Sequence, residues 1–314
     1  MSTHLTYPEA ILIGLLQGVT ELFPVSSLGH SVLIPALLGG RWARDLNVSA
    51  PESPYLAFIV GLHVVTAFAL LAFFWRDWVR ILTGFATSLR HRRVSTPDER
   101  LAWLIIIATI PVGITGLAVE HLFRTVLGKP IPAAIFLTLN GVILYAGERL
   151  RRRELARPVA SRTAGSAVAS AATAATADDG DAVASDERIA GRSWLDAVLI
   201  GSAQILALLP GISRSGSAMV AGLLRGLSHR DAARFSFLLA TPVILAAGLL
   251  KVPDLFGPLG AGIHGQVLAG SVASFVGAYL AVRFLTRYFE TRTLTPFAVY
   301  CVLAGLGSLA FLSL

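Results

Sequence analysis

Long apolar runs along the chain alternate with short polar segments rich in arginine, and the lengths of the runs sort them into two kinds. Runs at 55–75, 101–122, 131–147, 235–250, 267–285 and 295–314 reach or approach the roughly twenty residues that a helix needs to cross a hydrocarbon core of about 30 Å. They predict six transmembrane helices. Two other apolar stretches, 10–23 and 195–209, are shorter and stop at Pro24 and at Pro210-Gly211. Each is followed at once by serines and a second short apolar run, the pattern of a helix that enters a bilayer, breaks and returns. These stretches predict re-entrant helix pairs over 8–38 and 193–226. Strand-like alternation is absent, so the pattern reads as an all-α membrane protein.

Laid over one another without a gap at an offset of 187, the two broken stretches match at Ala10 and Ala197, Leu12 and Leu199, Ile13 and Ile200, Gly14 and Gly201, Gln17 and Gln204, Ser26 and Ser213, and Gly29 and Gly216. The chain thus carries an internal repeat. Each half reads as one re-entrant pair followed by three crossings. Three is odd, so the second half enters the membrane inverted relative to the first. The predicted organisation is a first repeat over 1–150, a linker over 151–191 and a second repeat over 192–314. Within the linker, 160–186 is rich in Ala, Ser, Thr and Asp and lacks apolar periodicity, so it is expected to be disordered and cytoplasmic.

Hydrophobic residues fill 54% of the 314 positions and charged residues 14%, which excludes an ordinary soluble domain. A net charge of +7 would suit nucleic acid. The arginines, however, cluster in the segments 76–100, 149–157, 225–234 and 283–292 between apolar runs, where basic residues hold helix ends on the cytoplasmic side. No nucleic-acid partner is expected. The less basic segments 39–54, 121–130 and 252–266 then lie outside with both termini, and the first re-entrant pair enters from outside, the second from inside. The single cysteine, Cys301, excludes an intrachain disulfide and argues against a thiolate zinc site. Glu9 and Glu21 bracket the first apolar stretch and no basic region precedes it, so it is not read as a cleavable signal.

Chemistry gathers at the two breaks. In the first, Gln17 and Glu21 stand one helical turn apart and share a face. A carboxylate inside a membrane segment costs about 2.5–3.5 kcal/mol on insertion scales, so Glu21 calls for a compensating partner or a watered cavity. Ser26 and Ser27 follow Pro24 where the second short helix begins, and the free N–H groups of such a terminus attract phosphate. His30 lies one turn past Ser26, placed to exchange protons near neutral pH. The second break supplies Ser213, Arg214, Ser215 and Gly216: another helix start, two hydroxyls and a permanent cation that fits phosphate in a bidentate manner. His63, Glu120, His121 and Glu148 fall at helix ends or lack a repeat counterpart, and are expected to be interfacial or packing residues.

Gln17-x3-Glu21 followed by Pro24-Val25-Ser26-Ser27-x-Gly29-His30, and later Pro210-Gly211-x-Ser213-Arg214-Ser215-Gly216, together resemble the undecaprenyl-diphosphatase, or bacitracin-resistance, family over nearly the whole chain. The resemblance implies hydrolysis of undecaprenyl diphosphate to the monophosphate in the bacterial inner membrane. That reaction recycles the lipid carrier for peptidoglycan and other envelope polymers, and removes the target of bacitracin. It also implies Glu21, Ser27, His30 and Arg214 as active-site residues, with Gln17, Ser26, Ser213, Ser215 and Gly216 around the phosphates and the site opening to the outer face. A divalent cation, Mg2+ or Ca2+, is implied as well. Here Gln17 stands where many members have Glu, which weakens a site of paired carboxylates, and Ala218 stands where members often have Thr.

Three routes remain open on these residues: attack by Ser27 with Glu21 and His30 managing protons, attack by His30, or attack by water activated at Glu21. A transporter or flippase of an anionic lipid is the rival of another class, since inverted repeats with broken helices are common in carriers. The acid/base pair beside Arg214 favours an enzyme. A lipid phosphatase of the phosphatidic-acid type is echoed by Ser27-x-Gly29-His30 and Ser213-Arg214, but no later His-x3-Asp completes it. Prenyl-chain preference and homo-oligomerisation are left open by the sequence.

Overall fold

A computed structural model of the chain describes residues 5–46, 54–122, 128–156, 177–257 and 262–314. All regular structure among them is helical. The helices are α1 (Tyr7–Leu22), α2 (Ser27–Leu38), α3 (Gly40–Asp45), α4 (Pro54–Phe73), α5 (Trp75–His91), α6 (Pro97–Leu122), α7 (Pro130–Leu155), α8 (Ala177–Ala190), α9 (Trp194–Ala203), α10 (Arg214–Leu224), α11 (His229–Phe256), α12 (His264–Thr291) and α13 (Thr295–Leu312).

Five stretches, Pro97–Val119, Pro130–Glu154, His229–Gly248, His264–Thr291 and Thr295–Leu312, are each long and apolar enough to cross a membrane. A sixth crossing is available from α4, whose axis turns by 87° into α5. Side chains sort as in a bilayer. Ile110, Ile114 and Leu117 on α6, Leu268, Val272 and Leu280 on α12, and Leu303 and Phe311 on α13 lie exposed on the outer surface, while Glu21, Ser26, His30, Asn140 and Gln204 are buried. Small residues allow close helix contacts where the polar groups are carried. A Cβ added to Gly14 would fall 2.2 Å from the Gly270 carbonyl oxygen, and one on Gly201 would fall 2.0 Å from that of Ala108, so α1 lies on α12 and α9 on α6 with backbones in contact.

Both broken stretches form helical pairs: α1 turns into α2, and α9 turns into α10. Their ends are built alike at positions 187 apart. Thr6 and Glu9 form a capping box on α1, and Ser193 and Asp196 form one on α9. Ser26 caps α2 by accepting from the Gly29 N–H at 3.2 Å, and Ser213 caps α10 by accepting from the Gly216 N–H at 3.1 Å. They differ near the break. From Gln204 to Leu208 the second stretch tightens into a 3-10 helix before Pro210, whereas α1 stays α-helical to Leu22.

Two expectations change. The basic segment 76–100 is mostly helix, because Ile81, Gly84 and Ser88 recur at helical spacing and turn one face of α5 toward the protein. The second concerns the linker. Residues 157–176 lie outside the described residues, but α7 runs on to Leu155 and residues 177–190 form α8 in place of disorder. Charge holds α8 where apolar periodicity does not. Asp186, buried, accepts from Arg234 at 2.7 and 2.8 Å and from Arg80 at 2.6 Å, and Asp231 accepts from Arg188 at 2.8 and 2.9 Å and from Ser185 at 2.5 Å. The arginines that composition assigns to membrane orientation are therefore also the partners that order α8.

Candidate active site

The turns between the paired helices meet in the interior. Ser26 adopts φ = 68° and ψ = 104°, a backbone conformation that costs a non-glycine residue energy and persists only where its surroundings enforce it. The enforcing contacts come from both stretches. Ser26 Oγ accepts from the Gly29 N–H of its own helix and from the Gly211 N–H across the interface, both at 3.2 Å. Gly211, at φ = 116°, lies so close to α2 that a Cβ on Gly29 would come within 2.9 Å of its Cα. From α7, Asn140 ties both turns together: its Nδ2 donates to the Pro24 carbonyl at 3.0 Å, and its Oδ1 accepts the Ser213 N–H at 3.0 Å.

This clamp presents Glu21 to four donors. Oε1 accepts from Arg214 Nη2 at 2.7 Å; Oε2 accepts from Ser27 Oγ at 2.5 Å and from Gln17 Nε2 at 3.1 Å, and stands 3.2 Å from His63 Nε2. Gln17 and Glu21 thus share a face as their spacing predicts. Arg214 reaches Glu21 from the start of α10, the convergence that the two breaks call for. An ionised carboxylate surrounded by a guanidinium, a hydroxyl, an amide and an imidazole is compensated, which answers the membrane cost.

Beside them lies a cavity of about 400 Å³, with Glu21, Ser26, Ser27, His63, Ser213 and Arg214 at its polar end. Val112 and Leu117 of α6, Leu208, and Val243 and Ile244 of α11 supply apolar wall. Such a space suits a ligand with a charged head and a hydrocarbon tail.

Other expected residues are placed differently. His30 does not line the cavity; its Nδ1 meets the Ser26 carbonyl at 2.7 Å and its Nε2 meets Tyr300 Oη at 2.6 Å. The ring braces the strained turn and points away from Glu21. Ser215 and Gly216 are buried but do not line the cavity. Ser215 Oγ bonds the Phe23 carbonyl at 3.2 Å, and the Gly216 N–H is taken by Ser213. Ser215 joins the two stretches and Gly216 closes the cap of α10, leaving Ser213 and Arg214 as the polar side chains that the start of α10 brings to the cavity. Glu148 packs with His229 at 2.7 Å and Arg152 at 3.2 Å away from the cavity. The side chains of Glu120 and His121 lie outside the described residues.

His63, expected to be an interfacial or packing residue, lines the cavity against Glu21, and Gln204 and Asn140 were given no part in the site by the sequence. His63 sits in the middle of an apolar run and has no repeat counterpart; its signal was simply a basic group at mid-span. Gln204 does have a counterpart, Gln17. It is buried against the cavity with neither side-chain atom hydrogen-bonded in the protein. Asn140 had only its polarity within a transmembrane run to mark it.

A divalent cation finds no ready seat. Among the described residues no group of three His, Cys, Asp or Glu side chains converges. Glu21 and His63 meet, but Oε2 already faces Ser27, Gln17 and His63 and Oε1 accepts from Arg214, so a cation would have to approach one carboxylate between two basic side chains. The donor set does not fit a resident Mg2+ or Ca2+, which needs several free oxygens.

Comparison with known proteins finds relatives that match along the whole chain. The family model for bacitracin resistance protein BacA matches residues 10–307. An undecaprenyl-diphosphatase of Mycolicibacterium paratuberculosis is 70% identical over the full length of both chains. Undecaprenyl-diphosphatase 1 of Frankia casuarinae is 55% identical over 96% of each chain, and undecaprenyl-diphosphatase 2 of Chromobacterium violaceum is 41% identical over 96% of this chain and 98% of its own. With both breaks, the whole cavity and all but the end of the last crossing inside the matched span, the chain belongs to the bacitracin resistance protein BacA family.

Proposed function

We propose that this protein hydrolyses undecaprenyl diphosphate to undecaprenyl phosphate and inorganic phosphate, recycling the lipid carrier for cell-wall polymers and conferring resistance to bacitracin. The observation that carries the reading is the joining of Glu21, Ser27 and Arg214 on the wall of a mostly apolar cavity. Arg214 and the remaining first-turn N–H groups of α2 and α10 hold the diphosphate. Ser27 Oγ, already donating to Glu21, passes its proton there as it bonds to the terminal phosphorus, and the bridging P–O bond breaks to release the lipid monophosphate. Water then cleaves the phosphoserine with Glu21 again handling the proton. Attack by His30 is disfavoured because both of its ring nitrogens are engaged away from the cavity.

The arrangement in the membrane follows the repeat. Matched caps at Thr6 and Ser193 and at Ser26 and Ser213, and matched glycines Gly14 and Gly201 packed on α12 and α6, support two inverted halves, 1–150 and 192–314, that exchange partners across the centre. Arg80, Arg188 and Arg234 gather with α8 at one end, supporting a cytoplasmic position for that end by the positive-inside rule and a site open to the outer face of the cell membrane.

The test is phosphate release from undecaprenyl diphosphate by the purified protein in detergent, beside Glu21→Gln. Steady turnover by the wild type and its loss in the variant, by about 10²–10⁴-fold, is the expected result. A lipid-loaded protein that releases no phosphate, or an active Glu21→Gln, overturns the reading. Transport without hydrolysis in vesicles would favour the carrier instead.

A further inference from the structure

The phosphatase reading uses one cation, Arg214, although the diphosphate head brings several negative charges. A second basic group stands at the same carboxylate. His63, from the middle of α4, lies half-buried on the cavity wall with Nε2 3.2 Å from Glu21 Oε2 and Nδ1 2.8 Å from the Ile59 carbonyl oxygen. A carboxylate and a carbonyl can only accept, so the ring satisfies both contacts when both nitrogens carry protons. His30 is the contrast. Its Nδ1 can donate to the Ser26 carbonyl while its Nε2 accepts from the Tyr300 hydroxyl, an arrangement that suits a neutral imidazole.

We propose that His63 is a further residue of the active site: as an imidazolium it holds Glu21 Oε2 against Ser27 and carries the second positive charge that faces the phosphates. The proposal rests on the phosphatase reading and adds the timing of charge. At rest, Glu21, Arg214 and His63 sum to one positive charge. When Ser27 Oγ bonds to phosphorus its proton moves to Glu21, the carboxylate becomes neutral, and the same three groups sum to two positive charges. The bridging P–O bond breaks in that step and its electron pair leaves with the lipid monophosphate. Positive charge in the site therefore rises as negative charge collects on the departing oxygen, the kind of interaction that is stronger in the transition state than in the ground state. Hydrolysis of the phosphoserine returns the proton and restores the resting charge.

Among the described residues, the surroundings leave this role to His63. The charged groups that face it are Glu21 of α1 and Arg214 of α10. The residues that α6 and α11 bring to the cavity wall are uncharged, and α12 meets α4 through Gly270 and Ser274.

The experiment compares wild type, His63→Gln and His63→Ala for phosphate release from undecaprenyl diphosphate across pH, with and without millimolar imidazole, all as monodisperse protein in detergent. The expected result is a fall in kcat of about 100-fold in both variants with KM changed only a few-fold. Wild-type kcat should decline as rising pH removes the second proton from His63, and that alkaline limb should vanish in His63→Gln. Added imidazole, which can enter the cavity, should restore part of the His63→Ala rate, an effect that a merely structural histidine would not show. Wild-type kcat and pH profile in His63→Gln overturn the proposal, as does a slow His63→Ala that imidazole leaves unchanged. A wild type that releases no phosphate sinks the phosphatase reading itself, whereas active wild type with indifferent variants sinks only the role of His63.

Discussion

Arg214 Nη2, at the start of α10, lies 2.7 Å from Glu21 Oε1, near the end of α1, although 193 positions separate the two residues. Neither could rest inside a membrane without the other or a substitute. The ion pair therefore does two jobs: it stabilises each charge in the absence of lipid, and it marks the position that a phosphate oxygen takes when it competes with Glu21 for the guanidinium.

That competition makes Arg214 sensitive to shape as well as charge. Arg214→Lys keeps the cation but loses the planar fork, so phosphate release should fall by about 10²–10³-fold and KM should rise, with Arg214→Ala at least as impaired. Steady-state kinetics on undecaprenyl diphosphate provides the check. A lysine variant within about twofold of wild type would mean that the guanidinium serves only to neutralise Glu21.

Ser27 donates to Glu21 at 2.5 Å and lines the cavity, so base and nucleophile are already in contact. Rapid quenching during turnover of substrate labelled in its terminal phosphate should trap label on Ser27. Ser27→Ala should carry none and lose activity by on the order of 10³-fold or more. Absence of trapped label in an active wild type would point to direct attack by water.

His30 is placed to act through the turn that carries Ser27. Its bond to the Ser26 carbonyl and its contact with Tyr300 Oη brace a residue at φ = 68°. Tyr300→Phe removes one end of the brace and leaves the ring in place, so it should lower kcat by a smaller factor than His30→Ala, about tenfold at most, while leaving the pH profile unchanged. A shift of the pH profile in Tyr300→Phe would instead give His30 a direct part in proton transfer.

Much of this was legible in the sequence, for physical reasons that also define what was hidden. Polar residues at Gln17, Glu21, Ser27 and Arg214 interrupt apolar runs beside helix-breaking Pro24 and Pro210, and the cost of such groups in lipid makes them conspicuous. Their meeting could be argued from the repeat alone. His63 and Asn140 lie in unbroken runs, where one polar residue reads as packing, and only folding shows that α4 passes Glu21 and α7 passes both turns. The ordering of α8 was invisible because its partners, Arg80 and Arg234, lie far away in the chain. Ser215 and Gly216 looked like phosphate ligands by type, but the Ser215 hydroxyl is used to join the two stretches and the Gly216 N–H to close the cap of α10.

Metal binding is a separate question from metal use. Because Glu21 is held between the basic side chains of Arg214 and His63 and, among the described residues, no group of three ligating side chains forms, protein without lipid should bind neither Mg2+ nor Ca2+ in the micromolar range by titration calorimetry. Any dependence of turnover on a divalent cation should then follow the concentration of the cation–diphosphate complex. A micromolar site that disappears in Glu21→Gln would contradict this and assign the cation to the protein.

Asn140 offers the sharpest test of the clamp, since it touches no part of the cavity and yet joins both turns. Asn140→Leu keeps the size of the side chain but leaves the buried Ser213 N–H without its acceptor and the Pro24 carbonyl with only the long contact from Cys301 Sγ at 3.8 Å, a loss of about 2–4 kcal/mol. Asn140→Asp separates the two bonds: the acceptor for Ser213 N–H survives, the donor to Pro24 is lost, and a negative charge enters behind the phosphate site. The leucine variant should therefore show a lower melting temperature and a lower kcat together. The aspartate variant, which sets a buried carboxylate against the Pro24 carbonyl, should melt at least as low as the leucine variant and in addition bind the diphosphate more weakly, seen as a raised KM. If leucine matched wild type in both melting and turnover, the two breaks would be held together by packing alone, and the amide would have no part in setting Ser27 against Glu21.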